Sequence, residues 1–77
     1  MEEVLEYLAR SLVDEPDEVS VESFEEDDGT LVLELAVAES DAGKVIGRGG
    51  RTAAALRTIM KACAVKHGRR VLVDVVD

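Results

Sequence analysis

The 77-residue chain is predicted to be an α+β protein with the order α-β-β-α-α-β, in which helices cover one face of a three-stranded mixed sheet. Three observations predict this class. Two alternating apolar and polar runs flank an Asp-Gly pair, two longer segments have helical periodicity, and a valine-rich run comes last. The length fits one small domain, 1–77, and leaves no room for a second.

The first element is predicted to be an amphipathic helix over residues 2 to about 13. Glu2 and Glu3 suit the positive end of its dipole, and Pro16 is expected to end it. The apolar residues at helical spacing are Val4, Leu5, Leu8 and Leu12.

The next two elements are predicted to form a β-hairpin. Alternation over 18–26 and 30–38 surrounds Asp27-Asp28-Gly29, a sequence typical of hairpin turns. Phe24 is out of phase with Val19 and Val21, so it indicates either a bulge or a side chain on the opposite face. The inward residues expected on the second strand are Leu31, Leu33, Leu35 and Val37.

The second half is predicted to contain a short helix through about Ile46, capped by Ser40 or Asp41, then a long helix over 51–67. A last strand over 71–76 follows. A helical crossover makes it parallel to the second strand if the two are adjacent. The expected apolar face of the long helix consists of Thr52, Leu56, Ile59, Met60 and Cys63.

A glycine-rich segment, 45–51, separates the two helices and reads Val-Ile-Gly-Arg-Gly-Gly-Arg. Glycines permit positive φ and close approach of another molecule to the backbone. Unpaired N–H groups at the start of the long helix would favour a phosphate, with Arg48 and Arg51 adding positive charge. The segment is therefore either a backbone-binding loop or a plain turn between helices.

Two nucleotide-binding motifs do not match the glycine segment. The dinucleotide pattern G-x-G-x-x-G starting at Gly47 requires a glycine where Thr52 stands. The P-loop pattern would require a glycine at Val45 and a lysine at Arg51.

The pattern that fits is Ile-Gly-x-x-Gly at 46–50, and with the predicted order of elements it resembles a type II KH domain. Nearly the whole chain resembles the KhpA family of small bacterial RNA-binding proteins, through segments 43–51, 52–57 and 71–75. In KH domains the G-x-x-G loop clamps the backbone of about four single-stranded nucleotides. The resemblance therefore implies an RNA clamp at Gly47, Arg48, Gly49 and Gly50, with Lys44 and Arg51 as flanking phosphate contacts.

The resemblance also implies partners and a process. Members of the family are expected to act as RNA chaperones of broad specificity, to form homodimers, and to pair with a larger KH-domain protein called KhpB, Jag or EloR. That pair is linked to cell elongation and cell shape. This chain departs from the KH pattern at Ala53, where a larger aliphatic residue is common.

The bases of bound RNA are expected to lie on an aliphatic groove, because Tyr7 and Phe24 are the only aromatic residues. The groove is predicted from Val45, Ile46, Ala53 and Leu56 with part of the second strand. Ordinary core burial competes with this role at Ile46.

Charge is divided between the two halves of the chain. The net charge is −8, but residues 1–43 carry fifteen acids and one base, whereas 44–77 carry eight bases and two acids. Such a division lets a local basic surface attract RNA while the rest of the chain repels it, so we expect modest affinity with strong salt dependence.

Other classes of function lack support in the sequence. His67 lies beside Gly68 at a helix end, and Cys63 is the only cysteine, so neither an enzyme nor a metal or cofactor site is expected. No segment is apolar enough to span a membrane, and the acidic start differs from a signal peptide, so a cytoplasmic protein is expected. The alternative function is a protein-interaction subunit whose partner supplies most RNA affinity.

Overall fold

The computed structural model describes residues 1–76, and its elements follow the predicted order α-β-β-α-α-β. These elements are α1 (Glu2–Leu12), β1 (Ser20–Glu25), β2 (Leu31–Ala36), α2 (Ala42–Ile46), α3 (Arg51–Lys66) and β3 (Val71–Val76). Single 3-10 turns precede β1, α2 and α3. The predicted α+β class is confirmed.

Helix α1 ends earlier than Pro16, at Leu12, where the chain turns to extended backbone at Val13. Pro16 instead starts the 3-10 turn Pro16–Glu18, a position where its missing N–H costs no hydrogen bond. Leu5 and Ala9 are the buried residues of α1, while Val4 and Leu12 are exposed. The buried stripe is therefore narrower than the predicted one.

The sheet has the strand order β1-β2-β3, so β2 is central. β1 pairs antiparallel with β2, and β2 pairs parallel with β3, as predicted from the hairpin and the helical crossover. At the hairpin the Gly29 N–H donates to the Glu26 carbonyl at 2.9 Å, and Gly29 has φ 88°. This is the geometry of a three-residue loop that ends in a left-handed glycine.

The register of β1 on β2 shows whether Phe24 lies in a bulge or on the opposite face of the strand. Pairing runs without interruption from Ser20↔Ala36 to Glu25↔Leu31, so there is no bulge within β1. Phe24 lies opposite Val32. Both point away from the face that carries Leu33 and Leu35, because successive residues of a strand alternate.

The core lies between the helices and one face of the sheet, where residues from all three helices form a single cluster with inward strand residues. Apart from Ala9, its buried members are Leu5, Val19, Leu33, Leu35, Val45, Leu56, Met60 and Val73. Of the predicted inward residues, Leu33 and Leu35 are fully buried, and Leu31 and Val37 pack at the edge of the cluster.

The predicted apolar face of α3 is wrong in part. Leu56 and Met60 are buried as expected, but the other buried residues are Ala53 and Ala64, whereas Ile59 is exposed. The buried face of α3 therefore runs along Ala53, Leu56, Met60 and Ala64 and leaves Ile59 to one side.

Candidate nucleic-acid interface

The glycine loop between α2 and α3 has an unusual backbone. Gly47 ends α2, as predicted, and its N–H donates to the Gly43 carbonyl at 2.8 Å. Gly47, Gly49 and Gly50 all have positive φ, of 76°, 64° and 76°. Positive φ is routine only for glycine, so the conformation of the loop explains its composition.

Gly47 is also the site of a close approach to Thr52. A Cβ at Gly47 would lie 2.3 Å from Thr52 Oγ1 and 2.8 Å from Thr52 N. At Gly49 and Gly50 an added Cβ would meet nothing within 4 Å. The first glycine is therefore required by packing as well as by φ, and the later two face open space.

Two N–H groups of the loop already have partners inside it. Gly50 N–H donates to the Gly47 carbonyl at 3.1 Å, and Arg51 N–H donates to the Arg48 carbonyl. The prediction that the start of α3 offers unpaired N–H groups is wrong for these two, because the 3-10 turn uses them. Positive charge at the loop comes from the exposed side chains of Arg48 and Arg51.

Asp41, one of the two residues predicted to cap α2, has a different role. Its side chain makes no cap hydrogen bond and is only 1% exposed. Its two oxygens accept the N–H groups of Asp14, at 3.2 Å, and Glu15, at 3.0 Å. Burial raises the pKa of Asp41, but these N–H donors and then Lys44 lower it more, so the pKa lies below its ordinary value. The carboxylate thus joins the segment after α1 to the base of α2.

Lys44 lies beside the same carboxylate. Its ammonium forms an ion pair with Asp14 and lies 3.5 Å from an oxygen of Asp41. The hydrogen bond to Asp14 raises the pKa of Lys44 above its ordinary value. The phosphate contact predicted for Lys44 stays a prediction, and it competes with these two ion pairs.

The predicted aliphatic groove is wrong at three of its four named helical residues. Val45, Ala53 and Leu56 are at most 5% exposed, so they offer little surface to a base. Their spacing in the sequence is compatible with either a groove or the core, and in the fold they are buried. Ile46 is 37% exposed next to the loop, so its side chain is available at the surface.

A groove between α3 and the edge strand β3 was missed by sequence reasoning. It encloses a cavity of about 230 Å³, and Arg57 Nε on α3 donates to the Val73 carbonyl on β3 at 3.1 Å. The residues that line it are Arg57, Thr58, Lys61, Val71, Leu72 and Val73. The basic side of α3 is the one sequence feature that indicates this groove. The groove itself forms only because β3 pairs parallel with β2, which brings Val71, Leu72 and Val73 beside the helix.

Within residues 1–76 no three His, Cys, Asp or Glu side chains come together in a way that could hold a metal ion. His67 Nδ1 lies 2.9 Å from the Cys63 carbonyl, at the end of α3. None of the helices over the same residues has both the length and the apolar character that a membrane crossing requires.

Among solved structures, the fold is similar to part of Era, determined in complex with MgGDPNP and nucleotides 1506–1542 of 16S ribosomal RNA. The TM-score is 0.58 at 23% identity, over 96% of this chain and 28% of the Era chain. At this identity the match shows a shared fold.

Among curated proteins, several relatives match over almost their full length, and each is named RNA-binding protein KhpA. The protein of Clostridium acetobutylicum is 50% identical, over 99% of this chain and 100% of its own. Those of Streptomyces coelicolor and Borreliella burgdorferi are 52% and 48% identical, over 100% and 97% of this chain and 92% and 90% of their own. The family model described as KhpA/KhpB, KH domain, matches residues 2–75, so the chain belongs to the KhpA/KhpB family of KH domains.

Proposed function

We propose that this chain binds single-stranded RNA by clamping its backbone at the glycine loop and laying the following nucleotides in the groove between α3 and β3. The observation that carries the proposal is the loop itself, in which three glycines with positive φ hold exposed Arg48 and Arg51 at the start of α3. The relatives are named for RNA binding, a function that requires no catalysis.

The loop suits a sugar-phosphate backbone for a steric reason. Gly49 and Gly50 have open space where side chains would otherwise stand. A phosphate can therefore approach their backbone atoms, and the two arginines can reach its oxygens from either side. Neutralised phosphates release counterions, so affinity should depend strongly on salt.

The groove continues this surface with the same sign of charge. Arg57 and Lys61 are one helical turn apart on α3, and together with Arg51 they give that side of the helix a positive field. Leu72 and Thr58 provide an apolar and a hydroxyl contact for bases. Without an aromatic residue in its lining, the groove should discriminate weakly between bases.

The test is fluorescence anisotropy of a labelled 12-nucleotide single-stranded RNA, titrated with the wild type and the double variant Arg48→Asp with Gly49→Asp. Aspartate tolerates the left-handed φ of 64° at Gly49, and its Cβ has room, so the variant should fold. We expect binding to fall at least tenfold. The wild type should show a slope of log K against log salt of about −2 to −3 for roughly four phosphates.

The matched control is Arg70→Asp with Gly29→Asp, which changes the net charge equally. Gly29 also has positive φ and open space, and both residues lie with Val65 and Gly68 at the C-terminal end of α3, about 24 Å along the helix from the loop. The control should retain most of the affinity. Equal losses in both variants would mean that net charge alone drives binding and would reject the clamp.

A second function, as a dimerising or partner-binding subunit, is favoured by an apolar groove between α1 and α3. It encloses about 240 Å³, and its rim includes Leu12 and Ile59, which are both exposed. The remaining lining residues are Leu8, Ser11, Thr52, Ala55 and Leu56. By family resemblance, we propose a homodimer or a heterodimer with a KhpB-like (Jag or EloR) protein in the cytoplasm, acting as an RNA chaperone in cell elongation and cell shape.

Sedimentation of the wild type and Ile59→Asp tests this second function. An exposed isoleucine can be replaced without loss of the core, so the variant should stay folded and become monomeric. If the wild type is already monomeric and binds RNA alone, self-association is rejected and the clamp stands by itself. If only the dimer or the mixed pair binds RNA, the subunit function is the main one.

A further inference from the structure

Within residues 1–76, the sheet has a second face that no helix covers. Outward residues form rows across the three strands, and the first row is Phe24, Val32 and Leu72 in direct register. Val32 is only 5% exposed although it lies outside the main core cluster, because Phe24 and Leu72 flank it. Those two side chains are 48% and 53% exposed. The row is therefore an apolar ridge on the open face.

The second row of this face is acidic on every strand. Glu22 pairs with Glu34, and Glu34 pairs with Asp74. Directly opposite residues have Cβ atoms about 5 Å apart, and like charges at that separation destabilise a sheet. Among residues 1–76, the ion pairs within 4 Å involve other acids. The row is thus a line of three carboxylates that repel each other.

A third row brings apolar surface to the other side of the carboxylates. It consists of Ser20, Ala36 and Val76, and with Glu22 and Glu34 it lines a shallow cavity of about 210 Å³. None of the nine residues in the three rows is basic. A phosphate chain would be repelled here, so this face does not suit RNA, although Leu72 at its edge also lines the α3–β3 groove.

We infer that the open sheet face docks a basic amphipathic helix of a protein partner. An apolar stripe on that helix would pack on the Phe24–Val32–Leu72 row, and lysines or arginines along its edge would neutralise the carboxylate row beside it. Rows two residues apart along a strand are separated by about 7 Å, which a helix about 10 Å wide can span. Relief of the repulsion among three carboxylates favours a cationic occupant over a neutral one.

The experiment uses a labelled synthetic 14-residue peptide of leucine and lysine at helical spacing. Its binding is compared between the wild type, the variant Glu22→Gln with Glu34→Gln and Asp74→Asn, and Phe24→Ser. We expect each variant to weaken binding at least tenfold. Leu72 is left intact because it also lines the RNA groove.

The matched control removes the same charges elsewhere, through Glu2→Gln with Asp17→Asn and Glu26→Gln, all at exposed positions. It should bind the peptide within about twofold of the wild type. Equal weakening in the control, or equal binding of a leucine and glutamate peptide, would overturn the inference.

Two further measurements distinguish the peptide partner from other occupants of this face and from misfolding of the variants. The triple variant should have a higher Tm than the wild type, because repulsion across the strands is relieved. A lower Tm would contradict the repulsive row. Loss of a dimer in the triple variant by sedimentation would assign the face to a second copy of the chain and reject the peptide partner. Weaker RNA binding by the triple variant would place RNA on this face and would also reject the peptide partner.

Discussion

Gly47 and Gly49 lie two residues apart in the loop and tolerate side chains differently. Gly47 combines φ 76° with ψ 170°, a region open almost only to glycine, and its Cβ position collides with Thr52. Gly49 has φ 64° and ψ 21°, in the left-handed region that asparagine and aspartate also adopt. The first glycine therefore determines the loop's shape, and the second leaves open space beside the loop.

We predict that Gly47→Ala lowers the free energy of unfolding by at least about 2 kcal/mol, from strain and collision together. Gly49→Ala should cost about 1 kcal/mol, from strain alone. Urea denaturation followed by circular dichroism measures both. Adding Thr52→Ala to Gly47→Ala should recover only part of the loss, because the backbone N of Thr52 remains 2.8 Å from the added Cβ. Equal costs at the two glycines would contradict the packing argument.

Asp41 gives a prediction on pH, since its folded-state pKa is below its ordinary value. A depressed pKa contributes stability that is present above about pH 4 and is lost as the pH falls through the folded-state pKa. Asp41→Asn should therefore be less stable than the wild type at pH 6, because an amide cannot accept from both Asp14 and Glu15 N–H groups equally. The difference should shrink as the pH falls below 4.

Unfolding free energies at pH 6, 5, 4 and 3 check the Asp41 prediction. Asp17→Asn serves as the control, because its carboxylate is exposed, and it should differ little from the wild type throughout. A difference for Asp41→Asn that stays constant with pH would show that the carboxylate charge is not involved. No local pattern predicts this role, since the two N–H donors are 27 and 26 residues away along the chain.

At the scale of elements, helix α3 shows where periodicity is informative and where it is ambiguous. Its start and end were predicted well because Gly50 and Gly68 bound it. Its buried face was assigned from the larger apolar residues, whereas burial in the protein follows Ala53 and Ala64 as well. Alanine carries little signal in a hydrophobic pattern, yet it permits close contact with a sheet. The predicted aliphatic groove is wrong for a different reason, since Val45 and Leu56 belong to the core cluster.

The rotation of α3 is tested by two neighbouring alanine substitutions. Met60 is fully buried, so Met60→Ala should cost about 2–5 kcal/mol of unfolding free energy. Ile59 is 43% exposed, so Ile59→Ala should cost less than about 1 kcal/mol. Thermal and urea denaturation of the monomer measure both. A larger cost at Ile59 than at Met60 would instead support the apolar face predicted from the sequence.

The hairpin was the most predictable pair of elements, because turn chemistry and alternation agreed. Asp28 Oδ1 accepts the Thr30 N–H at 2.9 Å, and Gly29 supplies the positive φ. Both features are local in sequence. By contrast, the α3–β3 groove depends on a parallel pairing whose partners are about 40 residues apart, and only the completed sheet forms it.

For the whole molecule, the division of charge follows the fold. The acid-rich residues 1–43 form α1 and the hairpin, and the base-rich residues from 44 onward form the loop, α3 and β3. Lys44 is an exception, since Asp14 and Asp41 hold it on the acidic side. A polyanion such as RNA is therefore repelled at long range by the net negative charge and is attracted at short range by the basic side chains of the loop and α3.

This division predicts that distant acids control how fast RNA arrives rather than how long it stays. Removing Glu2, Asp17 and Glu26 as Glu2→Gln, Asp17→Asn and Glu26→Gln should raise the association rate constant several-fold in 20 mM salt. The dissociation rate constant should stay within about twofold, because the contacts proposed at the loop are unchanged. In 200 mM salt the gain should largely vanish, since the Debye length is then about 7 Å. Stopped-flow measurements with a labelled single-stranded RNA at both salt concentrations give the two constants, and an effect on dissociation instead would place these acids in contact with the bound RNA.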